Sequence, residues 1–121
     1  MGTQIALMLG ALAFAFMGFG ALAFPAKVTM QFGIATLNGD GRNEVRAVYG
    51  GFGLALSGML LMAIIDATHR TGIALTVGVA LLGMAVGRIA SWTLDRTISR
   101  WPLTYLWIEL IGGAMLMYVA F

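Results

Sequence analysis

Residues 45–94 read VRAVYGGFGLALSGMLLMAII, then DATHR, then TGIALTVGVALLGMAVGRIASWTL. Two long apolar stretches, Val45–Ile65 and Thr71–Leu94, are thus separated by the short polar stretch Asp66–Arg70. A helix needs about 20 mostly apolar residues to cross a bilayer. A connection as short as Asp66–Arg70 makes the helices on either side antiparallel neighbours. These residues therefore predict a transmembrane helical hairpin.

Two further apolar stretches flank this hairpin. The stretch at residues 5–24 carries no charge and ends before Pro25, and the stretch at residues 102–120 opens with Pro102. The first is longer than the apolar region of a signal peptide and has no Lys or Arg before it, so it is interpreted as a spanning helix. The sequence predicts an all-α integral membrane four-helix bundle in a single transmembrane domain, residues 1–121, with helices at about 5–24, 45–65, 71–94 and 102–120.

Composition supports a lipid environment. Hydrophobic residues make up 60% of the chain and charged residues 10%, whereas soluble proteins carry about 25% charged residues. The net charge of +2 comes from scattered residues that form no basic face, so no nucleic-acid partner is predicted. The absence of cysteine excludes disulfides and thiolate metal sites.

The connection between the first two helices is the longest. Within it, Lys27–Leu37 alternates polar and apolar residues, which predicts a short amphipathic helix in the membrane interface. The run Asn38-Gly39-Asp40-Gly41 then predicts a turn, with Asp40 capping the next helix.

Charge also predicts orientation. One side of the predicted bundle holds five of the seven basic residues, namely Lys27, Arg42, Arg46, Arg96 and Arg100, while the other side holds only Arg70, and Arg88 lies within the third helix. The positive-inside rule makes the first side cytoplasmic. We expect a bacterial inner-membrane protein with both termini on the non-cytoplasmic side.

Arg88 and Glu109 interrupt the third and fourth apolar stretches. A charge at mid-membrane costs about 2.5–3.5 kcal/mol on insertion scales, so each residue needs a partner or water. At 1.5 Å per residue, Arg88 lies about 10 Å and Glu109 about 13 Å below the same surface. The two helices are neighbours through a short turn, which predicts a buried Arg88–Glu109 ion pair.

Two sets of residues follow from helical spacing. Polar residues near that surface are predicted to converge on one cluster, either structural or ligand-binding: Glu44, Arg46, Tyr49, Arg88, Ser91, Asp95 and Glu109. Small residues, which let helices approach closely in lipid, are predicted to mediate helix packing at Gly50, Gly53, Ser57, Gly83 and Gly87.

The aromatic residues around the last turn indicate an interfacial belt or, as the alternative, a stacking site: Trp92, Trp101, Tyr105 and Trp107.

The run Gly41–Gly51, GRNEVRAVYGG, resembles the characteristic motif of a bacterial membrane family of unknown function, number 4345 in the domain-of-unknown-function series. Gly87-Arg88 with Ser91, and an acidic residue in the last helix at Glu109, are similar to that family as well. The resemblance covers nearly the whole chain and implies four helices and no established activity. It also implies an acid–glycine turn after the third helix, where this chain has Asp95-Arg96.

These observations leave two functions open. The favoured one is a non-catalytic membrane protein, an accessory or scaffold subunit of a larger complex or of its own homo-oligomer, with Arg88–Glu109 as a structural pair. The alternative is a small binding or transport protein for a proton-coupled or anionic amphiphilic ligand. Membrane lipids, other membrane subunits and further copies of the chain are the expected partners. An enzyme is less favoured, and no catalytic residue, metal or cofactor is predicted, since His69 is the only histidine.

Overall fold

The computed structural model describes all residues from 1 to 121 and contains five helices and no strand. They are α1 (Gly2–Ala23), α2 (Pro25–Met30), α3 (Gly39–Ile65), α4 (Ala67–Asp95) and α5 (Arg100–Ala120). The four long helices are each long and apolar enough to cross a membrane. The chain is an integral, all-α membrane protein with a short helix between the first two long ones, as the sequence predicted.

The hairpin turn between α3 and α4 is shorter than predicted. It consists of Asp66 alone, because Asp66 caps α4 by accepting a hydrogen bond from the backbone N–H of Thr68 at 2.9 Å. Arg70, inside α4, donates to the last carbonyls of α3 at Ala63 and Ile64, at 2.7 and 2.9 Å. The polar residues that indicated a loop therefore cap the two helix ends: Asp66 caps the start of α4, and Arg70 caps the end of α3 from within α4.

The predicted turn at residues 38–41 is also wrong, because α3 already begins at Gly39. The side chain of Asn38, and not that of Asp40, accepts the backbone N–H of Gly41 at 2.7 Å and caps the helix. Before it, α2 spans only Pro25–Met30, so the short helix exists but does not extend to Leu37 as predicted. The chain turns at Gly33, whose φ of +83° suits glycine.

A wide turn interrupts α3 at Arg46–Gly51, where the backbone is π-helical. The N–H of Phe52 reaches the carbonyl of Ala47, five residues earlier. Val45 and Gly50 are both buried although they are five residues apart, after which the buried positions follow ordinary helical spacing: Gly53, Ser57 and Leu60. The extra residue in this turn rotates the start of α3 relative to the rest of the helix.

α1 and α3 form one closely packed pair. A Cβ added at Gly18 would lie 2.9 Å from the carbonyl oxygen of Gly50, and one at Gly53 would lie 3.2 Å from Cα of Gly18. The hydroxyl of Ser57 donates to the carbonyl of Ala11 at 2.7 Å. Gly50, Gly53 and Ser57 therefore mediate helix packing, which is how small residues act in lipid.

α4 and α5 form a second closely packed pair through glycines that the sequence analysis missed. A Cβ at Gly113 would lie 2.6 Å from the Leu82 side chain, and one at Gly78 would lie 3.4 Å from the carbonyl of Gly113. Both pairs contribute to one buried apolar cluster: Leu7, Ala11, Leu60, Ala63, Ile73, Val77 and Leu116. The Arg88–Glu109 level lies beyond this cluster, toward the end of the bundle where α4 and α5 are joined.

Candidate functional site

An ion pair joins α4 to α5 at the predicted depth. The Nε–H of Arg88 is shared between the two carboxylate oxygens of Glu109, at 2.9 Å to Oε1 and 2.8 Å to Oε2. The Glu109 side chain is 5% exposed and that of Arg88 is 25% exposed. The predicted pair is therefore confirmed, with the carboxylate on the inside and the guanidinium toward the surface.

Tyr105 adds a second support for Arg88 that the sequence analysis did not foresee. Its ring lies 5.5 Å from the guanidinium carbon of Arg88, a cation–π distance. Its hydroxyl donates to Oε1 of Gln31 at 2.6 Å, and its ring packs against Phe32 at 5.8 Å. Tyr105 is thus part of the site and connects Arg88 to the segment after α2. The one available signal was its position one helical turn before Glu109.

Arg88 also lines a cleft of about 540 Å³ on the outer side of α4. Arg88 is the one charged residue among the nine that line it: Met84, Gly87, Arg88, Ser91, Trp92, Thr97, Ile98, Ser99 and Pro102. The terminal amino groups of Arg88 make no hydrogen bond within the protein, and no polar side-chain atom without a partner is fully buried. These amino groups are therefore accessible and can donate to a bound molecule.

The remaining members of the predicted cluster divide between places. Ser91 lines the cleft, whereas Arg46 donates from Nε to the carbonyl of Leu22 at 3.0 Å, at the end of α1. Glu44, Tyr49 and Asp95 are exposed and make no side-chain hydrogen bond or ion pair. The wide turn explains the difference in α3, because it puts Val45 rather than Arg46 on the buried stripe.

Gly83 and Gly87 do not pack against another helix of this chain. Both are exposed, and an added Cβ at either would meet nothing within 4 Å. The buried face of α4 instead carries Gly78 and Ala85, so the predicted small-residue stripe lies on the opposite, outward face. Gly87 forms part of the cleft beside Arg88.

The opposite end of the bundle holds one further polar group. Nδ1 of His69 lies 2.6 Å from Oδ2 of Asp66. This hydrogen bond, together with that from Thr68, holds the pKa of Asp66 below its usual value. Both side chains are substantially exposed, and no group of three or more acidic or histidine residues is placed to hold a metal ion. The pair belongs to the cap of α4.

The arrangement at Arg88 provides hydrogen-bond donors that an anion can accept. Its guanidinium has unused donors and is fixed on one side by a carboxylate and on another by an aromatic ring. Hydroxyl groups of Ser91, Thr97 and Ser99 line the same cleft and can hydrogen-bond anionic oxygens. Trp92 offers an apolar wall.

Comparison with known protein families identifies a match over nearly the whole chain. The family model described as a domain of unknown function (DUF4345) matches residues 2–120. No curated protein and no solved structure matches the chain significantly.

Proposed function

Because this chain belongs to the DUF4345 family, whose description assigns no activity, we propose its function from the geometry of the Arg88 cleft. The protein binds an anionic amphiphile, with the anionic headgroup at Arg88. The observation that carries the proposal is that the Arg88 guanidinium uses only Nε–H for Glu109, while its terminal amino groups stay accessible in a cleft.

The energetics of the ion pair support a binding role. A buried ion pair is weak evidence for stability, since desolvation of the two charges offsets much of their attraction. Glu109 compensates the charge of Arg88 and allows it to remain at this depth without a ligand. An anionic headgroup that reaches the free amino groups gains charge-assisted hydrogen bonds.

The size of the cleft agrees with this role. Its volume of about 540 Å³ lies within the range of about 300–1,000 Å³ that is typical of small-molecule sites. Its lining combines apolar side chains with one cation and several hydroxyl groups, the composition that an amphiphile requires.

Titration of the purified protein tests the proposal. The protein is placed in phosphatidylcholine nanodiscs with Trp101→Phe and Trp107→Phe, so that the fluorescence of Trp92 in the cleft reports binding. We expect saturable binding of dodecyl phosphate and none of dodecylphosphocholine, which has the same chain but no net charge.

Glu109→Gln removes the carboxylate that competes for Arg88 and should tighten dodecyl phosphate binding by about tenfold, equivalent to about 1.4 kcal/mol.

A double variant keeps this test interpretable. Arg88→Gln alone leaves a buried unpaired carboxylate and is expected to destabilise the fold by about 3–5 kcal/mol. Arg88→Gln with Glu109→Gln removes both charges, so it should fold and bind no dodecyl phosphate. Arg46→Gln is the control, because Arg46 binds the end of α1 instead, and it should bind as the wild type does. A folded double variant with wild-type affinity would refute the proposal.

A second candidate is the accessory or scaffold role, in a larger complex or a homo-oligomer. The outward glycine face of α4 supports it, because Gly83 is open to the close approach of another helix. The test is purification of the tagged protein from native membranes in mild detergent. A stoichiometric partner or a second copy that Gly83→Leu removes, with the fold intact, supports this role, whereas a free monomer contradicts it.

We also propose that the protein lies in the bacterial inner membrane with the cleft toward the cytoplasm. The basic residues at that end of the bundle, which include Arg96 and Arg100 in and after the last connection, support this orientation.

A further inference from the structure

We propose that the ligand of the Arg88 cleft is a long-chain lipid of the bilayer, whose apolar chain lies along α4 over Gly87 and Met84 and enters the cleft sideways from the membrane. This rests on the proposed function and specifies the class of ligand. A small water-soluble anion is the alternative that the structure disfavours.

The order of residues along the cleft carries this inference. Thr97 and Ser99 lie in the connection after α4, at the end of the bundle. Arg88 lies seven residues inside the end of that helix at Asp95, about 10 Å deeper. Met84 lies one further turn down, about 6 Å below Arg88. All hydroxyl groups of the cleft lie between Arg88 and its surface end, where they stand beside Trp92 and Ile98, whereas the part below Arg88 is lined by Gly87 and Met84 and has no polar side chain. Polar groups are thus confined to the outer part of the cleft, as the headgroup is in a bilayer lipid.

Gly87 forms the open floor next to Arg88. It is exposed, and an added Cβ would meet no atom within 4 Å. The missing side chain leaves room along α4 at the depth where a lipid chain begins. Met84, on the same wall, is flexible and adapts to an apolar chain. A soluble anion at Arg88 would leave this apolar part of the cleft unfilled.

Charge complementarity selects a lipid over another helix as the occupant. Arg88 is the one charged residue of the cleft, and its terminal amino groups are free to donate charge-assisted hydrogen bonds to an anion. The lipids of a cytoplasmic leaflet supply anionic headgroups beside the hydrocarbon boundary, so headgroup and chain of one molecule meet both requirements.

The test has two parts. It compares the binding of a long and a short phosphate ester, and it measures the effect of a Gly87→Leu side chain that fills the space beside Arg88. Binding of dodecyl phosphate and ethyl phosphate is measured by Trp92 fluorescence in phosphatidylcholine nanodiscs. We expect the wild type to saturate with dodecyl phosphate and not with ethyl phosphate at the same concentrations. Gly87→Leu should weaken dodecyl phosphate binding by about tenfold or more, because it displaces methylene groups from the cleft.

The control is Gly58→Leu. Gly58 is another exposed glycine of a long helix whose added Cβ would meet nothing within 4 Å, and it lies outside the cleft, so wild-type binding is expected. Unchanged dodecyl phosphate affinity in Gly87→Leu overturns the lipid assignment and leaves Arg88-dependent binding of an anionic amphiphile intact. Ethyl phosphate binding as tight as that of dodecyl phosphate shows that the site needs no apolar chain and overturns the amphiphile of the proposed function as well. Binding that does not depend on Arg88 overturns both proposals.

Discussion

Arg96 follows the last residue of α4 and is the one non-glycine residue of the chain with a positive φ, 57°. This left-handed conformation costs an L-residue about 1–2 kcal/mol, which glycine avoids. Part of the stability gained by replacing Arg96 with glycine is offset by the greater conformational freedom of glycine in the unfolded chain. We therefore expect Arg96→Gly to raise the free energy of unfolding by about 0.5–1 kcal/mol, measured by thermal unfolding in nanodiscs.

Arg96→Ala is the control for this substitution. It removes the same exposed side chain but keeps a Cβ in the left-handed conformation, so no stabilisation is expected. Equal gains in both variants would show that the charge of Arg96, and not its backbone, destabilises the turn.

The ion pair was predictable from residue positions, and its surroundings were not. Arg88 and Glu109 could be paired because depth follows from counting residues along two neighbouring helices. The hydrogen bond between Tyr105 and Gln31 joins residues 74 positions apart. Gln31 lies in a non-helical segment, whose position cannot be predicted from helical periodicity. The predicted position of Arg46 was wrong because no residue pattern indicated the π-helical turn at residues 46–51.

At the level of the helices, two glycines of α1 provide a matched pair. A Cβ at Gly18 would lie 2.9 Å from backbone atoms of both Gly50 and Leu54, whereas one at Gly20 would meet nothing within 4 Å. Gly18→Ala should therefore destabilise the protein by about 1–3 kcal/mol through overpacking. Gly20→Ala should be neutral or stabilising, because alanine favours the helix. Unfolding by denaturing detergent measures both; equal effects would contradict the close packing of α1 and α3.

The number and order of the long helices followed from the sequence, because hydropathy and length determine which segments can span a bilayer. Which face of each helix packs against another helix was predicted only in part. Gly50, Gly53 and Ser57 pack as predicted, but Gly83 and Gly87 have the same spacing and face outward. Spacing alone identifies a stripe of small residues and does not determine what covers it.

For the whole molecule, orientation can be measured directly because the chain has no cysteine. Single cysteines at Gly2 and Thr97 mark opposite ends of the bundle. With the cleft toward the cytoplasm, a membrane-impermeant maleimide should label Gly2→Cys in intact cells whose outer membrane is permeabilised, and Thr97→Cys only after lysis. His69→Cys, at the end where α3 and α4 meet, should follow Gly2→Cys. The reverse pattern would invert the proposed orientation.

The division into two closely packed pairs has a consequence for biogenesis. Asp66 is the one residue between α3 and α4, and the closest glycine contacts lie on either side of it, within α1–α3 or within α4–α5. The ribosome therefore releases a first pair that can assemble before the second is synthesised. A gene divided at Asp66 encodes two fragments, one with α1 and α3 and one with α4 and α5. Because both fragments span the same bilayer, their buried residues Leu7, Leu60 and Leu116 lie at matching depths and can bring the fragments together.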